Sequence, residues 1–286
     1  NNGYPNPGYA WYVACILTLA YMFSFLDRQI LALLVEPIRA DLHISDTQMS
    51  LLQGLAFGIF YTLLGIPIGR LADRRSRRVI IATGIGIWCL MTAACGLANN
   101  FGQLFIARVG IGVGEATLNP SAYSLISDYF PRKKRARPMS FYNMGVSLGA
   151  GVAMVLGGQI INLVFSQPQP VLPVVGTLFH WQVVFIMVGL PGLLIALLMF
   201  TVREPERRDK ISIGPDHESD EPIPLRAAAA FLWERKSTYG TLFLGMSVAT
   251  IIGYGYFSWV PTMFMRTWGW SISDIAFAYG MIILIF

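Results

Sequence analysis

Long apolar segments alternate with short polar ones along the whole chain. Their lengths match the ~20 residues that a helix needs to cross a bilayer, and seven of them lie at about 9–35, 50–69, 79–98, 101–127, 139–165, 182–202 and 237–264. An eighth begins near Ile275 and is still apolar at Phe286. Because every backbone group in a bilayer needs an internal partner, the pattern predicts membrane-spanning helices. We also expect the sequence to be part of a longer chain.

Composition supports this interpretation. Of the 286 residues, 55% are hydrophobic and 13% are charged, and the mean hydropathy is +0.55. Soluble domains carry about a quarter charged residues, so a soluble enzyme, a disordered chain and a disulfide scaffold are excluded. The net charge of +5 does not indicate nucleic-acid binding, because the basic residues lie between apolar segments. The three cysteines lie within spans, and we expect no metal site and no cofactor. The fold class is an all-α polytopic membrane protein.

The basic residues predict the orientation. Seventeen of the 21 lysines and arginines follow the second, fourth and sixth spans, whereas only Arg39 and Arg266 fall on the opposite side. Since cytoplasmic loops are enriched in Lys and Arg, the N-terminus is predicted to be cytoplasmic. No signal peptide is visible. Short outer loops and no glycosylation acceptor favour a multi-pass protein of a bacterial inner membrane, with a eukaryotic organelle membrane as the alternative.

Loop lengths divide the chain into three regions. Residues 1–202 are predicted to form a six-helix bundle with short connections. Residues 203–236 are polar and contain four prolines, which indicates a cytoplasmic linker, within which 227–233 could form an amphipathic helix on the membrane surface. Residues 237–286 would start a second bundle.

Four ionisable residues fall inside predicted spans: Asp27, Arg28, Arg108 and Glu115. Such groups are costly in a bilayer and are functional candidates. A buried ion-pair network that only fixes helix register is one explanation. The other is a proton switch, because a low dielectric favours a neutral carboxyl and a nearby arginine favours an ionised one. Glu115 is the better proton carrier, whereas Asp27 is expected to be held ionised by Arg28 or Arg108.

Helix geometry limits how these groups can meet. Arg108 and Glu115 are seven residues apart, so they share a face at levels ~10 Å apart. Asp27 and Arg28 point about 100° apart, so at most one of them can point directly at the helix face that carries Arg108 and Glu115. Asn119 lies one turn beyond Glu115 and is predicted either to bind substrate or to bridge helices.

The loop at 69–78 carries a second signal. Positive-inside charge explains its arginines but not Gly69 and Asp73. This stretch resembles the signature Gly-x-Leu-x-Asp-Arg-x-Gly-Arg-Arg of the major facilitator superfamily, matched by Gly69, Leu71, Asp73, Arg74, Arg77 and Arg78, with Ser76 where glycine is usual. The stretch from Arg108 to Glu115 is similar to the second signature, Arg-x-x-x-Gly-x-Gly-Glu. The segments 25–28, 112–116, 191–192 and 203–205 most resemble the spinster-like branch, although organic-anion/proton symporters share the Asp-Arg pair.

The resemblance implies a transporter of two six-helix bundles around a central cavity, of which this chain covers the first bundle and the start of the second. Gly69, Asp73, Arg74, Arg77 and Arg78 would then form a cytoplasmic gate, in which Asp73 with Arg74 and Arg77 stabilises the outward-open state. Membrane lipids, protons and an anionic small molecule are the implied partners. We expect a monomer that binds no nucleic acid.

The predicted function is proton-coupled transport of an amphipathic anionic lipid, either a lysophospholipid or a sphingoid phosphate. Glu115 and Asp27 would couple protons, and the predicted substrate-binding residues are Arg108, Arg28, Asn119, Phe23 and Tyr254. One alternative is a proton-coupled transporter of a small organic anion or drug. A non-transporting membrane sensor is another, and a membrane enzyme is less supported because no histidine lies in a span.

Overall fold

A computed structural model describes residues 4–172, 176–207 and 225–285. Within them the α-helices are α1 Pro7–Leu33, α2 Val35–Leu42, α3 Asp46–Ser50, α4 Ala56–Arg74, α5 Arg77–Cys95, α6 Phe101–Glu115, α7 Leu118–Tyr129, α8 Ala136–Phe165, α9 His180–Gly189, α10 Leu193–Met199, α11 Leu225–Glu234, α12 Lys236–Trp268 and α13 Ile272–Ile285. A π turn, Leu51–Leu55, joins α3 to α4. Single 3₁₀ turns occupy Arg132–Lys134 and Leu190–Gly192. Val171–Leu172 (β1) pairs antiparallel with Gly176–Thr177 (β2).

Every predicted apolar segment contains a helix. Six helical stretches are long and apolar enough to cross a membrane: Pro7–Leu33, Asp46–Arg74, Arg77–Cys95, Ala136–Phe165, His180–Met199 and Lys236–Trp268. The fourth predicted span is divided into α6 and α7, and the eighth is α13. The prediction of an all-helical polytopic architecture therefore holds, with one span broken in two.

The break in the fourth span lies directly after Glu115. A helix through this point would need the backbone N–H of residue 120 to donate to the carbonyl of Ala116, but residue 120 is a proline and has no N–H. The Thr117 N–H instead donates to the Gly114 carbonyl at 3.2 Å, a tighter 3₁₀-type bond. The regular α-helical hydrogen bonding is thus interrupted directly after Glu115. The apolar pattern alone did not predict this interruption.

The second span begins earlier than predicted and contains an irregular turn. Ser45 accepts a hydrogen bond from the Gln48 backbone N–H at 3.3 Å, and the Gln48 side chain accepts one from the Ser45 N–H at 2.9 Å. This reciprocal capping starts α3. The π turn Leu51–Leu55 follows before regular α-helix resumes at Ala56. Single π turns of this kind are frequent at functional sites.

Glycines let α6 pack closely against its neighbours α4 and α5. A Cβ atom on Gly112 would lie 2.5 Å from the Phe57 carbonyl oxygen of α4, and one on Gly114 would lie 2.7 Å from the Gly84 carbonyl oxygen of α5. Any larger residue would force the backbones apart. These two glycines therefore hold Arg108 and Glu115, on the same helix, in the middle of the helical packing.

The helix α8 connects the first six spans to the last two. It packs against α1 on one side and α13 on the other. A Cβ on Gly149 would lie 2.7 Å from the Met22 Cα of α1, and one on Gly158 would lie 2.5 Å from the Ala276 Cβ of α13. Small residues along α8 thus permit close helix packing on both sides.

The predicted linker is only partly described. Residues 208–224, which include three of its prolines, lie outside the described residues. The helix expected near 227–233 is present as α11, and its Phe231, Leu232 and Trp233 are exposed. Its location on a membrane surface stays a prediction.

Candidate functional site

A cavity of about 1180 Å³ lies between α1, α4, α8 and the last two helices. Polar residues on its wall include Arg28, Gln29, Ser50, Gln53, Arg108 and Asn119, and aromatic ones include Tyr21, Phe25, Phe57, Tyr61, Tyr254, Phe257, Trp259 and Tyr279. The cavity therefore combines a few charged or amide groups with a largely aromatic surface. A polar head and an apolar body could both be accommodated there.

Arg28 forms an ion pair with Glu115 at the wall of this cavity. Its Nη2 donates to Glu115 Oε2, and its Nη1 donates to the Tyr254 hydroxyl at 3.0 Å. The guanidinium lies 4.3 Å from the Phe57 ring centroid and 5.0 Å from that of Phe25, which places it in cation–π contact with both rings. The other carboxylate oxygen of Glu115 has no hydrogen-bond partner among the described residues. Side chains from the second, fourth and seventh spans thus contact one arginine of the first span.

Asp27 faces a different side of α1 from Arg28, about 100° away. It is 4% exposed and accepts a hydrogen bond from the Thr92 hydroxyl of α5 at 2.7 Å. Among the described residues it forms no ion pair, so the expectation that Arg28 or Arg108 holds it is not met. The reason is the ~100° step between successive residues, which sends Arg28 to the cavity and Asp27 into the helical core.

Arg108 forms no ion pair with a described residue, although Asp27 and Glu115 lie close enough to interact with it electrostatically. It is 1% exposed, and its Nε donates to the Leu52 carbonyl of the π turn at 3.4 Å. Its Nη1 is buried without a hydrogen-bond partner in the described part of the chain. This guanidinium therefore has hydrogen-bonding capacity for a ligand, as does Arg28 Nε, which is also buried without a partner among the described residues.

Asn119 bridges helices and also lines the cavity. Its Nδ2 donates to the Tyr61 hydroxyl at 2.9 Å, and its Oδ1 accepts from the Tyr142 hydroxyl at 2.7 Å. Tyr142 in turn stacks on Tyr21, with ring centroids 4.7 Å apart. Both roles that were open for Asn119 are thus compatible with its position.

Phe23 does not line the cavity. Its ring packs with the core near Gly192 of the sixth span. Its prediction as a substrate-binding residue is therefore corrected, since the side chain points to the opposite side of α1 from Arg28. Tyr254 does line the cavity, through its hydroxyl contact with Arg28. The described residues contain no group of three His, Cys, Asp or Glu that could hold a metal ion.

Comparisons with known proteins identify the family. The sequence pattern described as the Major Facilitator Superfamily matches residues 17–286. The chain belongs to this superfamily. The chain also superposes on the crystal structure of a bacterial homologue of the human lysosomal transporter Spinster, in an inward-facing and unoccupied conformation. The TM-score is 0.81 and the identity is 35%, over 98% of this chain and 61% of the other.

Curated superfamily relatives are more distant. A Mycolicibacterium smegmatis (strain ATCC 700084 / mc(2)155) protein named "MFS-type efflux pump" is 26% identical over 96% of this chain and 59% of its own length. A "Probable L-galactonate transporter" of Escherichia coli (strain K12) is 27% identical over 86% and 52%, respectively. The chain thus spans about half to three-fifths of these relatives. The predicted superfamily and the resemblance to spinster-like proteins are confirmed, and the relatives are named as transporters, not enzymes.

The superfamily's signature loop lies where α4 ends and α5 begins, which we call the Arg77 end. Arg77 is 1% exposed and forms ion pairs with Asp128 and, at 2.7 Å, with Glu204. Asp73 is exposed and forms no ion pair with any described residue, and Arg74 is exposed too. The expected association of Asp73 with Arg74 and Arg77 is therefore absent from the described structure, because Arg77 points inward as α5 begins. Gly69 lies near Pro120 of α7.

Glu204 is fixed by the first residues of α5. Burial opposes its ionisation, but Arg77 Nε donates to it at 2.7 Å and the Arg78 backbone N–H at 3.1 Å. The Ser76 hydroxyl adds a third bond at 2.9 Å. Together these contacts outweigh burial and hold the pKa of Glu204 below its ordinary value. The start of the third span and the ends of the fourth and sixth spans are thereby tied together.

A second ionic cluster lies at the opposite end of the helices, which we call the Arg266 end. Arg266 near the end of α12 donates to both carboxylate oxygens of Asp46, at 2.8 and 2.9 Å, and to Glu36 at 2.6 Å. Arg39 pairs with the same two acids. The cluster joins the seventh span to the connection between the first two.

Sequence reasoning missed several of these residues. Asp128 and Glu204 follow spans at the expected loops, but their pairing with Arg77 depends on three separate helices. Gln53 lines the cavity from the π turn. The acids Glu36 and Asp46 could have been noted as counterparts of Arg39 and Arg266, the two basic residues on that side.

Proposed function

We propose that this protein is part of a proton-coupled secondary transporter that moves an amphipathic anionic lipid by alternating access. The observation that carries the proposal is the buried Arg28–Glu115 pair on the wall of an aromatic cavity. The two arginines of the cavity would hold the anionic head group, because guanidinium binds phosphate and carboxylate in a bidentate manner. The aromatic wall would hold the acyl chain. The similarity to the bacterial Spinster homologue supports a transporter of the spinster-like branch.

The proposed coupling follows from competition for Arg28. While Glu115 is ionised, it neutralises this guanidinium and lowers the attraction for a second anion. A proton on Glu115 removes that competition, so proton and anion favour each other's binding. Asp27, whose one hydrogen bond among the described residues comes from Thr92, would be a second proton site. Tyr254 and Asn119 would also bind the head group, since each already hydrogen-bonds a side chain of the cavity wall.

The membrane arrangement belongs to the same proposal. The Arg77 end would be cytoplasmic, as the concentration of basic residues in its loops supports, and the membrane would be a bacterial inner membrane. Residues 1–202 would form the first bundle, 203–236 the linker and 237–286 the start of the second bundle, in a monomer. The ion pairs at the Arg266 end join the two proposed bundles, which fits an inward-facing state. The exposed Asp73 and Arg74 would meet their partners in the outward-open state.

Lysolipid-dependent proton flux in liposomes tests the proposal. The full-length protein would be reconstituted as wild type, Glu115→Gln and Arg108→Ala, with Glu234→Gln, an exposed carboxylate in α11, as the control. We expect lysolipid to drive proton movement in wild type and Glu234→Gln, and not in the other two. Lysolipid transport that persists in Glu115→Gln with its proton movement would overturn the coupling role.

A small organic anion is the second candidate. The amides of Gln29 and Gln53 on the cavity wall favour it, because amides recognise hydroxyl-rich solutes, and one relative is named as a probable galactonate transporter. Flux elicited by organic acids but not by lysolipids would select this candidate. Binding without any flux would instead support the membrane sensor.

A further inference from the structure

We propose that Gln53, presented by the π turn of the second span, selects anions that carry a hydroxyl group close to their charged oxygen. This inference rests on the proposed function, because it assumes that Arg108 binds the anion. It adds a residue that decides which anions are accepted. The shared chemistry is a hydroxy-anion head, found both in hydroxylated lipid head groups and in small hydroxy acids.

Two side chains with unmet hydrogen-bonding capacity, Gln53 and Arg108, line the same cavity. The side-chain amide of Gln53 is buried at both its oxygen and its nitrogen, and neither atom has a partner in the described residues. Arg108 Nη1 is in the same condition. The guanidinium contacts the carbonyl of Leu52, the residue next to Gln53. Unsatisfied buried groups cost stability unless something binds them.

The π turn accounts for this arrangement. Gln53 is the central residue of Leu51–Leu55, and the turn directs it to the cavity together with Ser50 and Phe57 from the same span. The Leu52 carbonyl of the turn is also the one that accepts from Arg108. One irregular turn thus supplies both the contact that orients the arginine and the neighbouring amide.

The chemistry of the pair defines the ligand. Arg108 offers a cation that forms no direct ion pair in the described chain, whereas Arg28 pairs directly with Glu115. Asp27 and Glu115 act on Arg108 only from a longer distance. Gln53 offers one acceptor and one amino group that donates. A hydroxyl is the small group that can donate to the first and accept from the second. An anionic oxygen on Arg108 with a hydroxyl a few bonds away would satisfy both side chains at once.

Binding of matched ligand pairs tests the inference. The purified full-length protein would be titrated with an aldonate and its 2-deoxy analogue, and with an alkyl phosphoglycerol and the corresponding alkyl methyl phosphate, which has a lipid tail and an anionic phosphate but no hydroxyl. The variant is Gln53→Leu, which keeps the size of the side chain. The control is Thr62→Val, which removes a polar group from the same cavity. Melting temperatures of the unliganded proteins would show that each variant folds.

We expect Gln53→Leu to weaken binding of the hydroxylated member of each pair by roughly tenfold or more. The reason is that the variant lacks the amide that would hydrogen-bond the hydroxyl. The affinity for the member without the hydroxyl should change less than about twofold. Thr62→Val should leave the ratio of the two affinities unchanged in both pairs. A response confined to the lipid pair would identify a lipid head group, and one confined to the aldonate pair would identify a small acid. Either supports the inference.

Other results separate this inference from the proposed function. If Gln53→Leu weakened binding of both members of a pair equally, the proposed role of Gln53 would be overturned. The proposal that the protein transports an anion would be unaffected. The same conclusion would follow if wild type bound only anions without a hydroxyl. Binding that depends on Gln53 without any proton or substrate flux would support the inference and overturn the transport proposal. If no anion bound to wild type, both would fail.

Discussion

Asp27 and Arg28 are adjacent residues with entirely different surroundings. Arg28 faces the cavity and pairs with Glu115, whereas Asp27 faces the core and bonds Thr92. Their presence inside a span could be read from the sequence, because charged residues stand out in an apolar segment. Their partners could not, since Glu115 and Thr92 come from helices more than sixty positions away.

Glu204 leads to a pH-dependent prediction at this scale. Its pKa is lowered in the folded state, so its stabilising effect is complete above the ordinary pKa of glutamate and is lost as the pH falls through the folded-state value. We expect Glu204→Gln to lower the unfolding free energy by about 1–2 kcal/mol near neutral pH. The difference from wild type should shrink towards about pH 4.

Thermal unfolding in detergent between these pH values checks this expectation. Glu206→Gln is a suitable control, because Glu206 is exposed two residues further along the chain. A difference between wild type and Glu204→Gln that stayed constant over the whole pH range would show that ionisation of Glu204 is irrelevant.

At the scale of elements, the departures from regular helix mark the site. The π turn in the second span carries Gln53, and the break in the fourth span follows Glu115. Pro120 was a readable signal for the break, because proline removes a helix hydrogen bond. The π turn had no comparable signal, since it depends on how the second span packs against Arg108.

The close contact between α8 and α13 supports a prediction about packing. A side chain at position 158 would collide with Ala276, because an added Cβ lies only 2.5 Å from the Cβ of that residue. We expect Gly158→Val to cost about 1–3 kcal/mol, as overpacked sites do. Melting temperatures of the full-length protein would measure it. The control is Gly86→Val, because a Cβ at Gly86 meets nothing within 4 Å; equal melting temperatures for both variants would contradict the expectation.

At the scale of the whole molecule, ionic clusters tie the helices at both ends. At the Arg77 end, Arg77 joins Asp128 and Glu204, so three spans of the proposed first bundle are held together. At the Arg266 end, Arg266 joins the seventh span to Glu36 and Asp46. The first cluster lies within one proposed bundle, whereas the second connects two. Of these two clusters, the one at the Arg266 end is therefore the one whose ion pairs would break when one bundle moves relative to the other.

Removal of Arg266 should favour opening at that end. We expect Arg266→Gln to shift the equilibrium between closed and open forms by roughly fivefold, because an exposed ion-pair network contributes about 1 kcal/mol. Distances between nitroxide labels at the exposed positions Thr47 and Thr267 would report it in a cysteine-free background. Arg39→Gln is the matched control, since Arg39 pairs with the same acids from α2 without bridging to α12. Unchanged distance distributions in Arg266→Gln would rule out a gating role.

The sequence by itself determined the number and approximate positions of the spans, because the bilayer demands a run of apolar residues of set length. It also determined which ionisable residues lie in those spans and which loops carry the basic charge. The tertiary structure decided which carboxylate meets which arginine, since helix rotation and close glycine contacts set the direction of each side chain. It likewise decided that Arg77 binds Glu204 and not Asp73, and that Gln53 faces the cavity. Such pairings depend on distances between helices, which no local pattern contains.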